Sequence, residues 1–220
     1  MYRVESRRNR GNLGFDTVAE SFLQQPGLPF TEILTSESIE RAFVRQDALF
    51  AQNDIYGTSI VLWAFLAQVL RGGKGGACAA AVADIATYML QTGGRAPSGD
   101  TGDYCRARSK LSLAALRGLV IEAAEQLQDK AKVSWRWKGL HAKLIDGFTF
   151  TMPDTSANQA EFPQQTNQRP GAGFPIARAC AVLSLATGAI HDLNFGPYQG
   201  KDTGESALLR DILESLNTGD

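Results

Sequence analysis

The run Leu144-Ile145-Asp146-Gly147-Phe148-Thr149-Phe150-Thr151-Met152 sets a single acid inside an alternating apolar stretch. In a β-strand successive side chains point to opposite faces, so Leu144, Asp146, Phe148, Phe150 and Met152 share one face. A carboxylate in an apolar row cannot be buried unpaired, because its desolvation costs more than a strand supplies. It needs a cation, a network of donors, or solvent at the strand end. Of these, a cation is the one that makes chemistry. The same residues have a second meaning: Asp-Gly flanked by alternating apolar residues is the strongest short-range hairpin signal, which would make Asp146 a turn residue without a chemical part. Pattern alone leaves both readings open.

A chain of 220 residues with 44% apolar composition can build a packed core as one large domain or two small ones. Its three cysteines, Cys78, Cys105 and Cys180, are odd in number, widely spaced and without CxxC pairing. That argues against a disulfide framework and a zinc site, and a reducing, cytoplasmic location fits best. His141 and His191 have no Cys or Glu at ligand spacing. No apolar signal-peptide segment follows the charged N-terminus, and the strongest apolar run, 60–70, falls well short of the roughly 20 residues that span a bilayer. It reads as a buried helix, and no membrane partner is expected.

The net charge of −1 conceals an asymmetry. Residues 104–143 carry nine basic and three acidic side chains, whereas residues 144–220 carry four basic and nine acidic ones. A +6 block followed by a −5 block suggests a polyanion-binding surface beside a cation-holding site; a solvated helix face is the plainer alternative.

Residues 1–34 read as an arm and linker, with Pro26-Gly27-Leu28-Pro29 as a turn. Residues 35–138 read as helical. Thr35-Ser36-Glu37 is an N-cap cluster, 58–70 is apolar nearly all round, 78–90 is Ala-rich, 103–108 is short and basic, and 111–127 is amphipathic. From 139 to 220 the pattern becomes extended. Strands are expected over 142–152, 176–186 and 190–193, the last two joined by a tight turn at Thr187-Gly188. A helix over 205–216 carries the stripe Leu208, Leu209, Ile212, Leu213 and Leu216. The Gln/Asn/Pro-rich stretch 153–173 is too long for a simple hairpin loop and so suggests a functional one. Asp154 within it reads as an Asx-turn or N-cap residue. The stretch Phe195 to Asp202 departs from a phosphate-binding loop at two positions, and the glycines at 72–76 follow no strand, so no nucleotide cofactor is expected. Trp135 and Trp137, set among Arg136, Lys138 and Lys143, either pack against DNA sugar and phosphate or fill a domain seam.

Several blocks in order resemble bacterial insertion-sequence transposases of the IS-four type. They are Thr101-Gly102-Asp103-Tyr104-Cys105-Arg106-Ala107-Arg108, Lys143-Leu144-Ile145-Asp146-Gly147, Met152-Pro153-Asp154-Thr155, Gly173-Phe174-Pro175-Ile176-Ala177-Arg178, Ser184-Leu185-Ala186-Thr187-Gly188-Ala189, and Gly196-Pro197-Tyr198-Gln199-Gly200-Lys201 with Gly204-Glu205. The resemblance implies an α+β protein: an N-terminal all-helical, DNA-binding domain followed by an incomplete ribonuclease-H-like α/β catalytic domain. That domain would carry an Asp, Asp, Glu centre for Mg²⁺ or Mn²⁺, and Asp146 matches its first Asp, as catalytic residue and metal ligand. The second Asp and the Glu are expected beyond Asp220, which makes this chain an N-terminal portion. Implied partners are double-stranded DNA and further copies of the chain in a homo-oligomer. Arg106, Arg108, Lys110, Arg136, Lys138 and Lys143 are the candidate DNA contacts. The alternative is a catalytically dead remnant that only binds DNA or another subunit.

Overall fold

The helix Ser36–Arg45 is capped by Thr35, whose hydroxyl oxygen accepts the Ser38 amide at 3.3 Å and so satisfies one of the unpaired donors of the first turn. The computed structural model describes residues 23, 27–31, 34–51, 54–71, 76–167, 169, 171–216 and 220. Most of the expected 1–34 arm lies outside them. Where it is described, Gly27, Leu28 and Pro29 are buried rather than arm-like. The chain forms two compact units, one ending at Leu116 and the other starting at Arg117.

In the first unit, α1 (Ser36–Arg45), α2 (Thr58–Arg71), α3 (Cys78–Gln91) and α4 (Gly102–Arg108) follow in order. The sequence that is apolar on all sides places α2 in the centre, packed on α1, α3 and α4. Ile39, Phe43, Val61, Leu62, Ile85 and Tyr104 make the core. The Trp63 indole N–H, buried with its ring, donates to the Leu34 carbonyl at 2.8 Å. α5 (Leu113–Asp129) begins at the end of this unit and runs into the second. No helix among the described residues is long and apolar enough to cross a membrane.

The second unit is built on an antiparallel sheet in the order β1 (Lys143–Thr151), β2 (Ile176–Ser184), β3 (Ile190–Pro197). The α+β class is as expected. Lys143 pairs with Ser184 and the register holds to Thr151 opposite Ile176. The expected turn joins β2 to β3: Gly188 takes φ +70 and donates to the Ser184 carbonyl at 2.8 Å. The expected third strand ended at residue 193, but β3 continues to Pro197, because every residue from Leu193 on has a partner on β2.

Alternation gives β2 two unlike faces. Ala177, Ala179 and Ala181 line one, while Cys180 and Val182 on the other join Leu208 and Ile212 in a core cluster. The stretch 153–173 is not structureless. It holds α6 (Ser156–Glu161), capped by Thr155 rather than Asp154, and Asp154 instead accepts the Gln159 side-chain amide at 2.9 Å. The helix expected over 205–216 is shorter: α7 (Glu205–Arg210) gives way to a 3-10 turn at Leu213–Ser215. Ile212 still reaches the core, and Leu213 turns outward at 45% exposure.

This division of the stripe sets two outcomes apart. Leu208→Ala should cost about 2–4 kcal/mol through its cavity, whereas Leu213→Ala should stay within about 0.5 kcal/mol. Urea midpoints of the two variants check the contrast.

Candidate functional site

β1 runs unbroken through Asp146 and Gly147, which pair with Ala181 and Cys180, so the hairpin-turn reading of Asp146-Gly147 is overturned. Asp146 shares its face with Leu144, Phe148 and Phe150, as the alternation required. Of the three ways to satisfy the carboxylate, solvent is the one met, though in mid-strand rather than at the strand end. Asp146 is exposed, and its neighbours Leu144 and Phe148 are 47% and 48% exposed. The reason lies at the other end of the face. Phe150 and Phe195 meet edge-on at 6.1 Å, and Phe162, anchored just after α6, stacks on Phe195 at 6.0 Å. The 153–173 segment thus covers the Phe150 end and leaves the Asp146 end open. Solvent satisfies the carboxylate in mid-strand, and its Oδ1 also accepts the Gly147 amide at 2.9 Å.

Gly147 faces the other way, and there the absence of a side chain matters. A Cβ at this position would fall within the carboxyl group of Glu205, the first residue of α7. Asp146 and Glu205 therefore lie on opposite faces of one strand. Their negative charges add to burial, the larger effect, in pushing the Cys180 thiol above its ordinary range. No group of three or more His, Cys, Asp or Glu side chains that could hold a metal occurs among the described residues. What is present fits a single hard oxygen ligand at Asp146, the donor type that Mg²⁺ or Mn²⁺ accepts one or two at a time.

The six candidate basic residues have unlike surroundings. In the first unit Arg106 is exposed and paired with Asp103, and Lys110 is exposed with its ammonium 5.7 Å from the Phe50 ring. Arg108 is half-buried and donates to Gln68 Oε1 at 3.0 Å. In the second unit Arg136 is half-buried, while Lys138 is exposed and lies 4.8 Å from the Trp137 ring. Trp135 and Trp137 are 52% and 61% exposed. Lys132, which charge counting alone did not single out, lies 5.5 Å from the Trp135 ring; the nearby Trp was the available signal. Lys143 turns inward. Its side chain is 5% exposed and meets Gln128, His191 Nε2 at 3.0 Å and Asp220 Oδ1 at 3.2 Å.

An ammonium group only donates, so His191 Nε2 accepts from Lys143 and the imidazole is neutral with its proton on Nδ1. Burial holds His191 below the usual imidazole range, with the Lys143 and His141 charges adding and Asp220 opposing.

No family model matches the chain, and no solved structure matches it. Over 115 residues it is 30% identical to a curated relative, transposase InsG for insertion sequence element IS4 of Escherichia coli (strain K12). The match takes in 52% of this chain and 25% of the relative, so the chain corresponds to about a quarter of that protein's length. This likeness supports the resemblance to an IS4-type transposase that the ordered motifs carried.

The His191 environment has a pH consequence. Its native pKa lies below the unfolded value, so the unfolded chain takes up the proton first as the medium is acidified. The His191 contribution to stability is therefore complete above about pH 6.5 and is lost as pH falls from there toward the depressed native value. His191→Gln should flatten that limb in urea melts across pH 5–7, and imidazole NMR titration should place His191 below the ordinary imidazole range.

Proposed function

We propose that this chain is part of an IS4-type DNA transposase in which Asp146 supplies one carboxylate of a metal-dependent phosphoryl-transfer centre. The observation that carries the reading is an exposed acid in the middle of β1, open to solvent in the motif order that the resemblance requires. In this reading 35–138 is the helical, DNA-binding part and 139–220 the first part of a ribonuclease-H-like domain. An antiparallel β1-β2-β3 sheet with the acid on its first strand is compatible with that assignment. The second Asp and the Glu would come from sequence after Asp220. Mg²⁺ or Mn²⁺, when bound, would supply the Lewis acidity that activates the attacking oxygen and steadies the leaving one. Asp146 contributes a carboxylate oxygen from a strand paired along its length, with Leu144 and Phe148 beside it on the same face.

For DNA the reading favours cations that remain exposed. Lys132 and Lys138 stand beside the outward rings of Trp135 and Trp137, an arrangement that offers phosphate neutralisation next to an apolar surface for sugar. Lys110 is a further exposed cation, whereas Arg106 is exposed but paired with Asp103 and Arg136 is half-buried. Arg108 and Lys143 are turned to partners within the protein and would act through the fold. A binding-only module is the second reading, favoured by the lack of a three-acid group among the described residues.

Binding to a duplex oligonucleotide should weaken steeply with salt, and Lys132→Ala and Lys138→Ala should each lower the slope of log K against log salt by about one. Salt-independent affinity would overturn the DNA surface. In a chain extended to include all three acids, Asp146→Asn should abolish Mg²⁺-dependent cleavage without changing duplex affinity; a variant that still cleaves excludes Asp146. Metal-dependent nicking by the 220-residue chain itself would exclude the binding-only reading.

A further inference from the structure

The first unit brings together two sulfurs that their sequence spacing keeps apart. Cys78 is the first residue of α3 and Cys105 lies within α4, and their Sγ atoms are 3.6 Å apart. Three donors point at Cys78 Sγ: the Cys105 thiol, the Gln68 side-chain amide at 3.6 Å and the Arg108 guanidinium at 3.7 Å. The donors are held in place by one another. Gln68 Oε1 accepts from the Tyr104 hydroxyl at 2.8 Å and from Arg108, and Gln68 Nε2 donates to the Gly76 carbonyl at 2.8 Å. Arg108 also lies over the Tyr104 ring at 5.7 Å.

This is the setting that makes a thiol nucleophilic. A helix N-terminus, a guanidinium and hydrogen-bond donors all favour thiolate over thiol, and only the thiolate attacks. Burial pushes the Cys78 thiol up, but the donors and the Arg108 charge outweigh it and bring it below the ordinary range. Cys105 is shifted the opposite way, first by donating its proton to Cys78, then by burial and by the Cys78 charge. Both remain partly accessible, whereas Cys180 is buried in the sheet with its thiol pushed up.

We propose that Cys78 and Cys105 form a reversible redox site for hydroperoxides, with Cys78 as the attacking thiolate and Cys105 as the thiol that completes a disulfide between α3 and α4. The Cys78 sulfur attacks one peroxide oxygen and breaks the O–O bond; the other oxygen leaves with a proton as water or an alcohol, and Cys78 becomes a sulfenic acid. The Cys105 sulfur, giving up its proton, then attacks the Cys78 sulfur. The S–S bond forms as the S–O bond breaks, and hydroxide leaves with that proton as water. Two thiols give two electrons and one hydroperoxide accepts them. Closing the sulfurs to about 2.05 Å requires them to approach by roughly 1.5 Å, within the reach of side-chain rotation at two adjacent helices. In a reducing compartment such a bond is transient, as regulatory disulfides are. The step removes the sulfur partner of Arg108 and ties the start of α3 to α4. The proposal does not rest on the transposase reading.

The test uses the reduced 220-residue chain with hydrogen peroxide. Peptide mass mapping should find Cys78 joined to Cys105, with two hydrogens lost, Cys180 free, and full reversal by dithiothreitol. Cys105→Ser should stop at a Cys78 sulfenic acid that dimedone captures, and Cys78→Ser should slow peroxide consumption at least tenfold. Arg108→Gln should slow it several-fold. A bond to Cys180, dimedone capture at Cys105 in the unsubstituted chain, or no disulfide in that chain would each overturn the site, and none of these readouts depends on a variant folding.

Discussion

Asp192 is the constraint on which the second unit depends. It is a carboxylate at 3% exposure, and isolated burial of such a group would cost more than the small sheet around it could offset. Arg117 answers it with two parallel bonds, Nε to Oδ1 and Nη2 to Oδ2, both at 2.7 Å. Asp192 lies on β3 and Arg117 on α5, so satisfying one charge fixes the helix against the strand. The Asp192 Oδ1 also takes the Leu193 amide at 2.8 Å, which leaves the carboxylate little freedom to turn. Losing one partner of a buried pair costs about 3–5 kcal/mol. With Arg117 itself 43% exposed, the low end of that range applies.

The open acid on β1 depends on how the rest of that face is filled. Small residues at 177, 179 and 181 leave room beside Asp146, while the bulk of Phe150, Phe195 and Phe162 gathers at one end. A large residue at 181 would have closed the space beside the carboxylate and forced it to find a partner. Behind the strand, Gly147 lets the Glu205 carboxyl come against the backbone, so acids stand on both sides of β1 within adjacent residues. Neither is crowded by the other, because the strand lies between them.

Local pattern foretold the elements well wherever periodicity was long. The all-round apolar run became the central α2, the strand expected over 142–152 became β1 at 143–151, and Thr187-Gly188 became the turn between β2 and β3. It misjudged what depends on neighbours distant in sequence. The face of Asp146 was legible but not which of cation, donors or solvent would meet it, since Phe162 and the alanines of β2 decide which end is covered. The stripe after Glu205 read as one helix, yet Ile212 reaches the core as the helix gives way to a 3-10 turn. Cysteine spacing argued against a pair, and it could not see that α3 and α4 bring Cys78 to Cys105.

Charge counting shows the same limit. The +6 block of residues 104–143 reads as one basic surface, but four of its cations have partners in the protein: Arg106 pairs with Asp103, Arg108 with Gln68 and Cys78, Arg117 with Asp192, and Lys143 with His191 and Asp220. Two of these bonds reach into the acidic segment that follows, so part of the asymmetry is neutralised by folding rather than by a ligand. A cation bound within the protein gains little from a phosphate, because it must give up one anion or acceptor to meet another. The cations that remain available are exposed, and Lys132 and Lys138 sit beside exposed indole rings. Exposure of two large rings has no stabilising return in water. Together with the exposed cations beside them, that makes the 132–138 segment, more than the block as a whole, the surface to which a polyanion would be drawn.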